Sequence, residues 1–381
     1  MNRQALQMVS QDGETRESAD AAVPEIQVFE RVSALPASCQ ALFDVAERES
    51  FDLGAEWFRL LQDTALASGC EPCFYVLSLG GQPRCIVPLL VKGRQVTGLT
   101  TFYTSLYRPL LAPYARAQDL AVLFRRVVKE RGAAALRFDA MDPAHPSYAL
   151  TRRALRLAGL QACPFFSFGN WHLAVGGRTF DAYFSGLESR TRNTVKRRGK
   201  KFAASGGRLA IMTGDEALEP AIEAWDRIYR SSWKRPEPYP AFMPGLIRLC
   251  ANKRWLRLGF AYYNDVPIAA QLWIVNHGRA AIYKLAYDEA YAQHSAGSLL
   301  TAHLMRHVID VDRVDEIDYL IGDDAYKKEW MSLRRERWGI VAYNVRTLRG
   351  FQGFALQTLG EIRRRWTAKS GSCGTADPSG G

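Results

Sequence analysis

The sequence Arg279-Ala-Ala-Ile-Tyr-Lys-Leu-Ala-Tyr287, followed closely by Gln293-His-Ser-Ala-Gly-Ser298, decides the fold. The first segment has the apolar character of a β-strand, and the apolar spacing after the second predicts an α-helix. A turn of small residues between a strand and a helix presents backbone N–H groups that can bind a phosphate group. This stretch therefore predicts a site for a phosphate-bearing cofactor.

The composition excludes several classes of protein. With 381 residues, of which 48% are hydrophobic and 23% charged, the chain is long enough for two globular domains. It has no apolar run of about 18 residues, and its first 24 residues are polar and acidic, unlike a signal peptide. Seven scattered cysteines are typical of reduced thiols. We expect a cytoplasmic protein.

The net charge of +11 favours an anionic partner, whether nucleic acid, lipid head groups or a phosphorylated small molecule. Seven basic residues form a run that contains no acidic residue: Arg190, Arg192, Lys196, Arg197, Arg198, Lys200 and Lys201. The run is either a solvated helix face or an electropositive wall beside the phosphates or an anionic acceptor. The sequence leaves both interpretations open.

The same order of elements is predicted twice along the chain: a hairpin, a strand, a helix and another strand. The turns Gly80-Gly-Gln-Pro83 and Asn264-Asp-Val-Pro267 mark the two hairpins. The predicted elements are 73–79, 84–91, 96–103, 118–131 and 135–139 in the first half and 255–263, 268–276, 280–287, 297–310 and 314–321 in the second. This repetition indicates two related α/β domains side by side.

The second half resembles the GNAT superfamily of acyl-CoA-dependent acyltransferases, specifically its tandem-domain branch. That branch contains the Fem-type aminoacyltransferases and the acetyltransferase-like proteins associated with cellulose and exopolysaccharide synthesis. The matching segments are Arg192–Phe202, Pro267–Trp273, Ala296-Gly-Ser-Leu-Leu300 and Asp318–Lys327. The resemblance implies an α/β (α+β) fold of two tandem domains, each a mixed, mostly antiparallel sheet flanked by helices.

The domains implied by the resemblance are residues 25–175, a degenerate GNAT-like domain, and 176–346, the acyltransferase domain. A basic C-terminal helix is predicted for 347–368, and residues 1–24 and 369–381 are expected to be disordered. The basic helix either docks on the second domain or lies on an anionic membrane surface. If the helix lies on the membrane surface, the protein is peripheral at the inner face of the membrane.

The resemblance also implies acetyl-CoA, or another acyl-CoA, as the donor, without a metal. In such enzymes the fourth strand splays from the fifth, the pantetheine arm fills the gap, and the pyrophosphate rests on the following turn. The family's glycine pattern is altered here, since Ala296 and Ser298 occupy its small positions and Gly297 is displaced by one. The implied cofactor-binding residues are Gln293, His294, Ser295, Ala296, Gly297 and Ser298. The corresponding turn in the first half, 102–108, is bulky, so only the second domain is expected to bind the cofactor.

Catalysis in such enzymes needs an acid for the departing thiolate and a base for the acceptor. Tyr326 is the candidate acid, and Asp323 or Asp318 is the candidate base through a water molecule. Alternatively, Asp323 caps the helix of Tyr326 and pairs with Lys327. Lys284, a charge within an apolar strand, needs a carboxylate or phosphate partner. The candidate substrate-binding residues are Lys284, Tyr239, Phe242, Lys327, Arg192 and Arg197.

Three functions are compatible with these patterns. The first is transfer of an acetyl or other acyl group to an amine or hydroxyl of an amino sugar, polysaccharide precursor or related metabolite, as in exopolysaccharide biosynthesis. The second keeps the fold but takes an aminoacyl-tRNA as donor, so that the basic run contacts RNA. The third is a non-catalytic binding module for nucleic acid or anionic lipid.

Overall fold

The computed structural model of the protein describes residues 23–371. The segments 1–24 and 369–381, predicted to be disordered, lie largely outside this range. No helix in the described range is long and apolar enough to cross a membrane.

The described residues form thirteen strands and ten α-helices. The strands are β1 Pro24–Phe29, β2 Glu71–Leu79, β3 Gln82–Lys92, β4 Gln95–Gly98, β5 Leu110–Leu111, β6 Ala135–Met141, β7 Gln161–Ala174, β8 Gly207–Met212, β9 Leu256–Tyr263, β10 Val266–Asn276, β11 Arg279–Tyr287, β12 Glu316–Asp318 and β13 Leu333–Tyr343. The helices are α1 Gln40–Glu49, α2 Ala55–Thr64, α3 Ala117–Arg131, α4 Pro146–Leu157, α5 Phe180–Ser185, α6 Ser189–Ala204, α7 Leu218–Arg230, α8 Phe242–Asn252, α9 Ala296–Arg306 and α10 Leu348–Gly371.

Both predicted hairpins are present, as β2–β3 and β9–β10. Their two-residue turns place Gly80, Gly81, Asn264 and Asp265 in the left-handed region, which matches the twist of the flanking strands. All strands join one mixed, mostly antiparallel sheet with helices on both faces. The predicted fold class is therefore confirmed.

The two halves exchange their last strands at the centre of the sheet. The order of strands is β1-β2-β3-β4-β6-β13-β7-β12-β11-β10-β9-β8, with β5 paired to β3. The last strand of the chain, β13, thus lies between two strands of the first half, and β7 pairs with β12 of the second half. Because one sheet runs through both halves, the domain boundary after residue 175 stays a prediction.

The helices form two layers. On one face, α1, α2, α7 and α8 cover both halves and share a single core with residues such as Trp57, Phe74 and Trp225. On the other face, α3 and α4 cover the first half, while α5, α6 and α9 cover the second. The helix α10 begins at the predicted place, and its side chains Leu348, Phe351, Leu356 and Leu359 are exposed.

A buried carboxylate holds the connection between β4 and β5, residues 99–109, against the shared core. Asp52 is fully buried and accepts hydrogen bonds from the Ser105 backbone N (2.9 Å), the Ser105 hydroxyl (2.7 Å), the Leu106 backbone N (2.8 Å) and the Ser50 hydroxyl (2.5 Å). Backbone N–H groups that lose a buried acceptor are costly. Asp52 therefore fixes the position of segment 99–109.

Replacing Asp52 with Ala should lower the free energy of unfolding by about 3 kcal/mol, because two buried N–H groups lose their acceptor. Urea unfolding followed by circular dichroism measures the change. As a control, Asp63→Ala removes an exposed ion pair with Arg31 and should cost under about 1 kcal/mol. Equal, small losses in the two variants would show that Asp52 does not hold this segment.

Candidate active site

A gap opens in the sheet between β11 and β12. The two strands pair in parallel only from Arg279 opposite Glu316 to Ala281 opposite Asp318. The pairing of β10 with β11 shifts at Tyr283, because Leu272 faces Lys284 and Trp273 faces Ile282. An extra residue of this kind bends a strand. Beyond Ala281, the edge of β11 that faces β12 has no strand partner in the described part of the chain.

The helix α9 begins beside this gap. Ser295 has a left-handed φ of 55° and leads directly into the first turn. The Gln271 side chain donates hydrogen bonds to the Gly297 carbonyl (2.9 Å) and the Thr301 hydroxyl (2.8 Å), and so fastens this turn to β10. The first N–H groups of any α-helix lack partners within the helix. The sheet thus positions a helix N-terminus at the gap.

A cavity of about 500 Å³ lies at this helix start, and Ser295, Ala296, Gly297 and Ser298 all line it. A Cβ atom added to Gly297 would approach only the Tyr287 ring, at 3.7 Å, so backbone is accessible there. The other two predicted cofactor-binding residues lie outside the cavity lining. The Gln293 carbonyl accepts a long hydrogen bond from Arg198 (3.4 Å), and the His294 ring packs 4.3 Å from that of Tyr263.

The cavity continues into a larger space of about 780 Å³. The two spaces have six lining residues in common, which are Trp233, Lys234, Leu285, Tyr319, Asp324 and Tyr326. The larger space is also lined by Phe102, Tyr103 and Ser105 from segment 99–109. We call the combined space the cleft. The first half of the chain therefore contributes one wall of a cleft in the second half.

The equivalent gap in the first half is filled by the chain itself. There β4 and β6 pair in parallel only at Val96 and Thr97. The Tyr107 backbone N donates to the Ala140 carbonyl (3.0 Å), and its hydroxyl donates to the Pro88 carbonyl (2.8 Å). The buried Tyr107 ring stacks on Phe138. The bulky turn noted in the sequence thus occupies the space that stays open in the second half.

Comparison with known proteins agrees with this geometry. Residues 189–328 match the family model described as an acetyltransferase (GNAT) domain. This segment is a GNAT domain. No curated protein is significantly similar in sequence. The suspected family and the predicted class of enzyme, a GNAT-type acyltransferase, are confirmed by the family match.

Solved structures are similar to this chain at low sequence identity, and the two with a TM-score above 0.5 share its fold. A conserved protein of unknown function from Bacteroides thetaiotaomicron is 8% identical, with 84% of this chain and 100% of that chain covered and a TM-score of 0.55. FemX is 11% identical, with 75% and 90% covered and a TM-score of 0.54. A tandem GNAT protein from the clavulanic acid biosynthesis pathway is 13% identical, with 84% and 98% covered and a TM-score of 0.49.

In the GNAT domain, Lys284 has the carboxylate partner that its sequence context requires. Its ammonium group pairs with Glu237, which also accepts a hydrogen bond from the Tyr103 hydroxyl (2.7 Å). Burial lowers the pKa of Lys284, and Glu237 opposes this effect. Burial alone would raise the pKa of Glu237, but hydrogen bonding to Lys284 holds it below its ordinary value. The pair is therefore ionised, and its Lys284 lines the cleft.

Tyr326 lies where the two parts of the cleft meet, on the 3₁₀ helix Ala325–Glu329. Its ring packs edge-on against Tyr319 at 5.8 Å, and its side chain is partly exposed to the cleft. Burial, together with the charge of Asp324, raises the pKa of Tyr326 to about 12. The hydroxyl group is therefore protonated at neutral pH and available as a proton donor.

The two predicted bases, Asp318 and Asp323, are not among the residues that line the cleft. The carboxylate of Asp318 pairs with Arg335 and accepts hydrogen bonds from the Asn170 amide (2.5 Å) and the Leu320 backbone N (2.6 Å). Asp323 pairs with Arg334 (2.8 Å), which lowers the pKa of Asp323. Because arginines engage both carboxylates, we remove them from the catalytic candidates.

The suggested pairing of Asp323 with Lys327 is also corrected. Asp324 is the ion-pair partner of Lys327 (3.3 Å), and the Lys327 ammonium group donates to the carbonyls of Tyr319, Ile321 and Gly322. Lys327 is buried at the cleft wall, where it satisfies carbonyl groups of the splayed segment. Lys327 therefore has a structural role in the cleft wall.

The remaining predicted substrate-binding residues lie away from the cleft. Phe242 is fully buried and stacks on Tyr103 at 3.7 Å, and Tyr239 packs behind the same ring at 6.2 Å. Arg192 lines a separate groove between α5, α6 and α9, and Arg197 is exposed on α6. Phe242 in particular cannot contact an acceptor, because core side chains cover its ring.

The sequence analysis missed the cleft residue Lys234 and the partner of Lys284, Glu237. Both belong to the segment 233–242, which is rich in prolines and aromatic residues and contains the predicted Tyr239 and Phe242. The segment does line the cleft, but with Trp233, Lys234 and Pro236 rather than with Tyr239 and Phe242. The sequence did contain a signal for Glu237, because the charge of Lys284 within an apolar strand requires an acidic residue nearby.

Replacing Glu237 with Gln should lower the free energy of unfolding by about 3 kcal/mol, because the Lys284 ammonium group then lacks a carboxylate. The double variant Glu237→Gln/Lys284→Met should recover much of this loss, as measured in a double-mutant cycle of urea unfolding. The exposed pair Asp226–Arg230 gives a control, in which Asp226→Asn should cost under about 1 kcal/mol. Additive losses at positions 237 and 284 would contradict the assigned pair.

Proposed function

We propose that the GNAT domain transfers an acetyl group, or another acyl group, from acyl-CoA to an amine or hydroxyl of an acceptor. The observation that supports this most strongly is the open gap between β11 and β12, which leads to the exposed N-terminus of α9. A thioester supplies an activated acyl group when it is bound there. The corresponding gap in the first half is filled by Tyr107, so we do not expect it to bind a donor.

The residues around α9 suit the phosphate groups of such a donor. Backbone N–H groups of the first helical turn bind anions, and the Ser298 hydroxyl lies in the same cavity lining. Arg198 of α6 adds positive charge beside this turn, where it contacts the Gln293 carbonyl. Acyl-CoA therefore fits the chemistry of the groups that are present.

Tyr326 is proposed to act as the general acid. Its Oη atom carries a proton at neutral pH and lies where the donor side and the acceptor side of the cleft meet. A proton released from this atom would neutralise a leaving group within the cleft. With Asp318 and Asp323 engaged by arginines, the base is not assigned to either of them.

The acceptor is proposed to be an amino sugar, a polysaccharide precursor or a related metabolite. The walls of the larger part of the cleft include the aromatic rings of Phe102, Tyr229 and Trp233, next to charged groups. Flat apolar faces with nearby polar groups suit a ring-shaped, hydroxylated ligand. The GNAT match does not identify an acceptor, so this proposal goes beyond it.

An aminoacyl-tRNA donor is the second candidate, and α6 favours it. In the part of the chain that the structure describes, the seven basic residues of α6 form no ion pair with an acidic side chain. Such a helix can contact a polyanion. The fold shared with FemX is compatible with either donor.

The first test uses Gly297→Glu, which introduces a negative charge and bulk at the start of α9. Acetyl-CoA at a hundred times its dissociation constant should stabilise the wild-type protein by about 2.7 kcal/mol, seen as a rise in Tm. The variant should lose this rise. Gly214→Glu, in an exposed loop without close neighbours, serves as the control and should keep it. No rise with any acyl-CoA would favour the aminoacyl-tRNA donor.

The second test uses Tyr326→Phe, which removes the proposed acid but keeps the ring. The kcat for acetyl transfer to the best amine in an acceptor panel should fall by about 10²- to 10⁴-fold. The Tm and its rise with acetyl-CoA should stay unchanged. Wild-type kcat in the variant would exclude Tyr326 as the acid.

A further inference from the structure

Three lysines line the cleft, and two of them pair with carboxylates. Glu237 pairs with Lys284, and Asp324 pairs with Lys327 (3.3 Å). The third lysine, Lys234, lines both parts of the cleft and forms no ion pair among residues 23–371. The exposed Arg235 also lines the larger part without an ion pair in the described chain, so Lys234 is the half-buried one of two unpaired cations.

The surroundings of Lys234 disfavour its charge. Burial, together with the charges of Lys284 and Lys327, lowers the pKa of Lys234 to about 8, against the attraction of Glu237 and Asp324. A partly buried cation among like charges is stabilised when an anion binds beside it. The cleft is thus prepared for a negatively charged ligand.

The position of Lys234 is fixed before any ligand binds. The neighbouring Trp233 ring packs 4.5 Å from Tyr287 of β11, and the Lys234 backbone N donates to the Ser232 hydroxyl (3.4 Å). Pro236 and Pro238 follow in the same segment and restrict its backbone. Little ordering is therefore needed when an anion binds.

We propose that Lys234 binds a carboxylate or phosphate group of the acceptor, so that the acceptor is an anionic amine or hydroxyl compound. Only the identification of this ligand as the acceptor rests on the proposed acyl transfer. Binding of an anion in the cleft can be tested without turnover.

The charges around Lys234 point to the acceptor rather than the donor as the source of the anion. Of the groups that act on Lys234, Lys284, Lys327 and Asp324 line the larger part of the cleft, and Glu237 pairs with Lys284. The donor phosphates already have the N-terminus of α9 and Arg198. An anion on the acceptor would bring its nucleophile close to Tyr326, which lines the same space.

The kinetic test compares two acceptors that differ only in an anionic group, glucosamine 6-phosphate and glucosamine. The wild-type protein should prefer the phosphorylated acceptor. Lys234→Met should raise KM for the anionic acceptor by about 30-fold, while KM for acetyl-CoA and for the neutral acceptor stays constant. The exposed Lys328, which is outside the cleft lining, gives the matched control Lys328→Met with unchanged kinetics.

The pH dependence adds a second readout. The preference for the anionic acceptor should decline as pH rises through about 8, since Lys234 then loses its proton. Lys234→Arg keeps its charge and should retain the preference above this pH. Taking the ratio of kcat/KM for the two acceptors cancels the pH effects on the enzyme that act on both acceptors equally.

The binding test uses inorganic phosphate, titrated calorimetrically into the full chain with CoA present. Wild-type and Lys328→Met proteins should bind it, and Lys234→Met should bind it about 30-fold more weakly. If this loss occurs but no amine is acylated, the anion site stands and the proposed acyl transfer fails. If Lys234→Met changes KM for acetyl-CoA alone, or changes neither phosphate binding nor the preference, the proposal is overturned.

Discussion

The exchange of the last strands at the centre of the sheet is the constraint on which the structure depends. Because β13 lies between β6 and β7, and β7 pairs with β12, neither half can complete its sheet alone. The same arrangement places Arg334 and Arg335 of β13 beside Asp323 and Asp318. These carboxylates tie the segment after β12 to the central strand, so they hold one wall of the gap.

Each half has a gap between two neighbouring strands, but the chain itself fills the gap of the first half and leaves that of the second half open. In the first half, Tyr107 fills the gap, and Asp52 holds the surrounding segment in place. The same segment then reaches the second half, where Tyr103 donates a hydrogen bond to Glu237 and so supports the Lys284 pair. The first half thus has no open gap between these strands, and it supplies a wall of the cleft in the second half.

Local patterns in the sequence predicted the features that depend on local chemistry. The turns at Gly80-Gly81 and Asn264-Asp265, the start of α9 and the need of Lys284 for a partner could all be predicted. Side-chain roles that depend on distant strands could not. Asp318 and Asp323 are engaged by arginines of β13, and Phe242 is buried against Trp57 and Tyr103, contacts that no short sequence window contains.

The central claim is that the gap beside β11 is open to a donor while the gap beside β4 is filled. Amide hydrogen exchange with and without acetyl-CoA tests this claim most directly. The account predicts slower exchange in residues 282–287 and in the first turn of α9, with no change in residues 96–108. Unchanged exchange in 282–287, or new protection in 96–108, would contradict it.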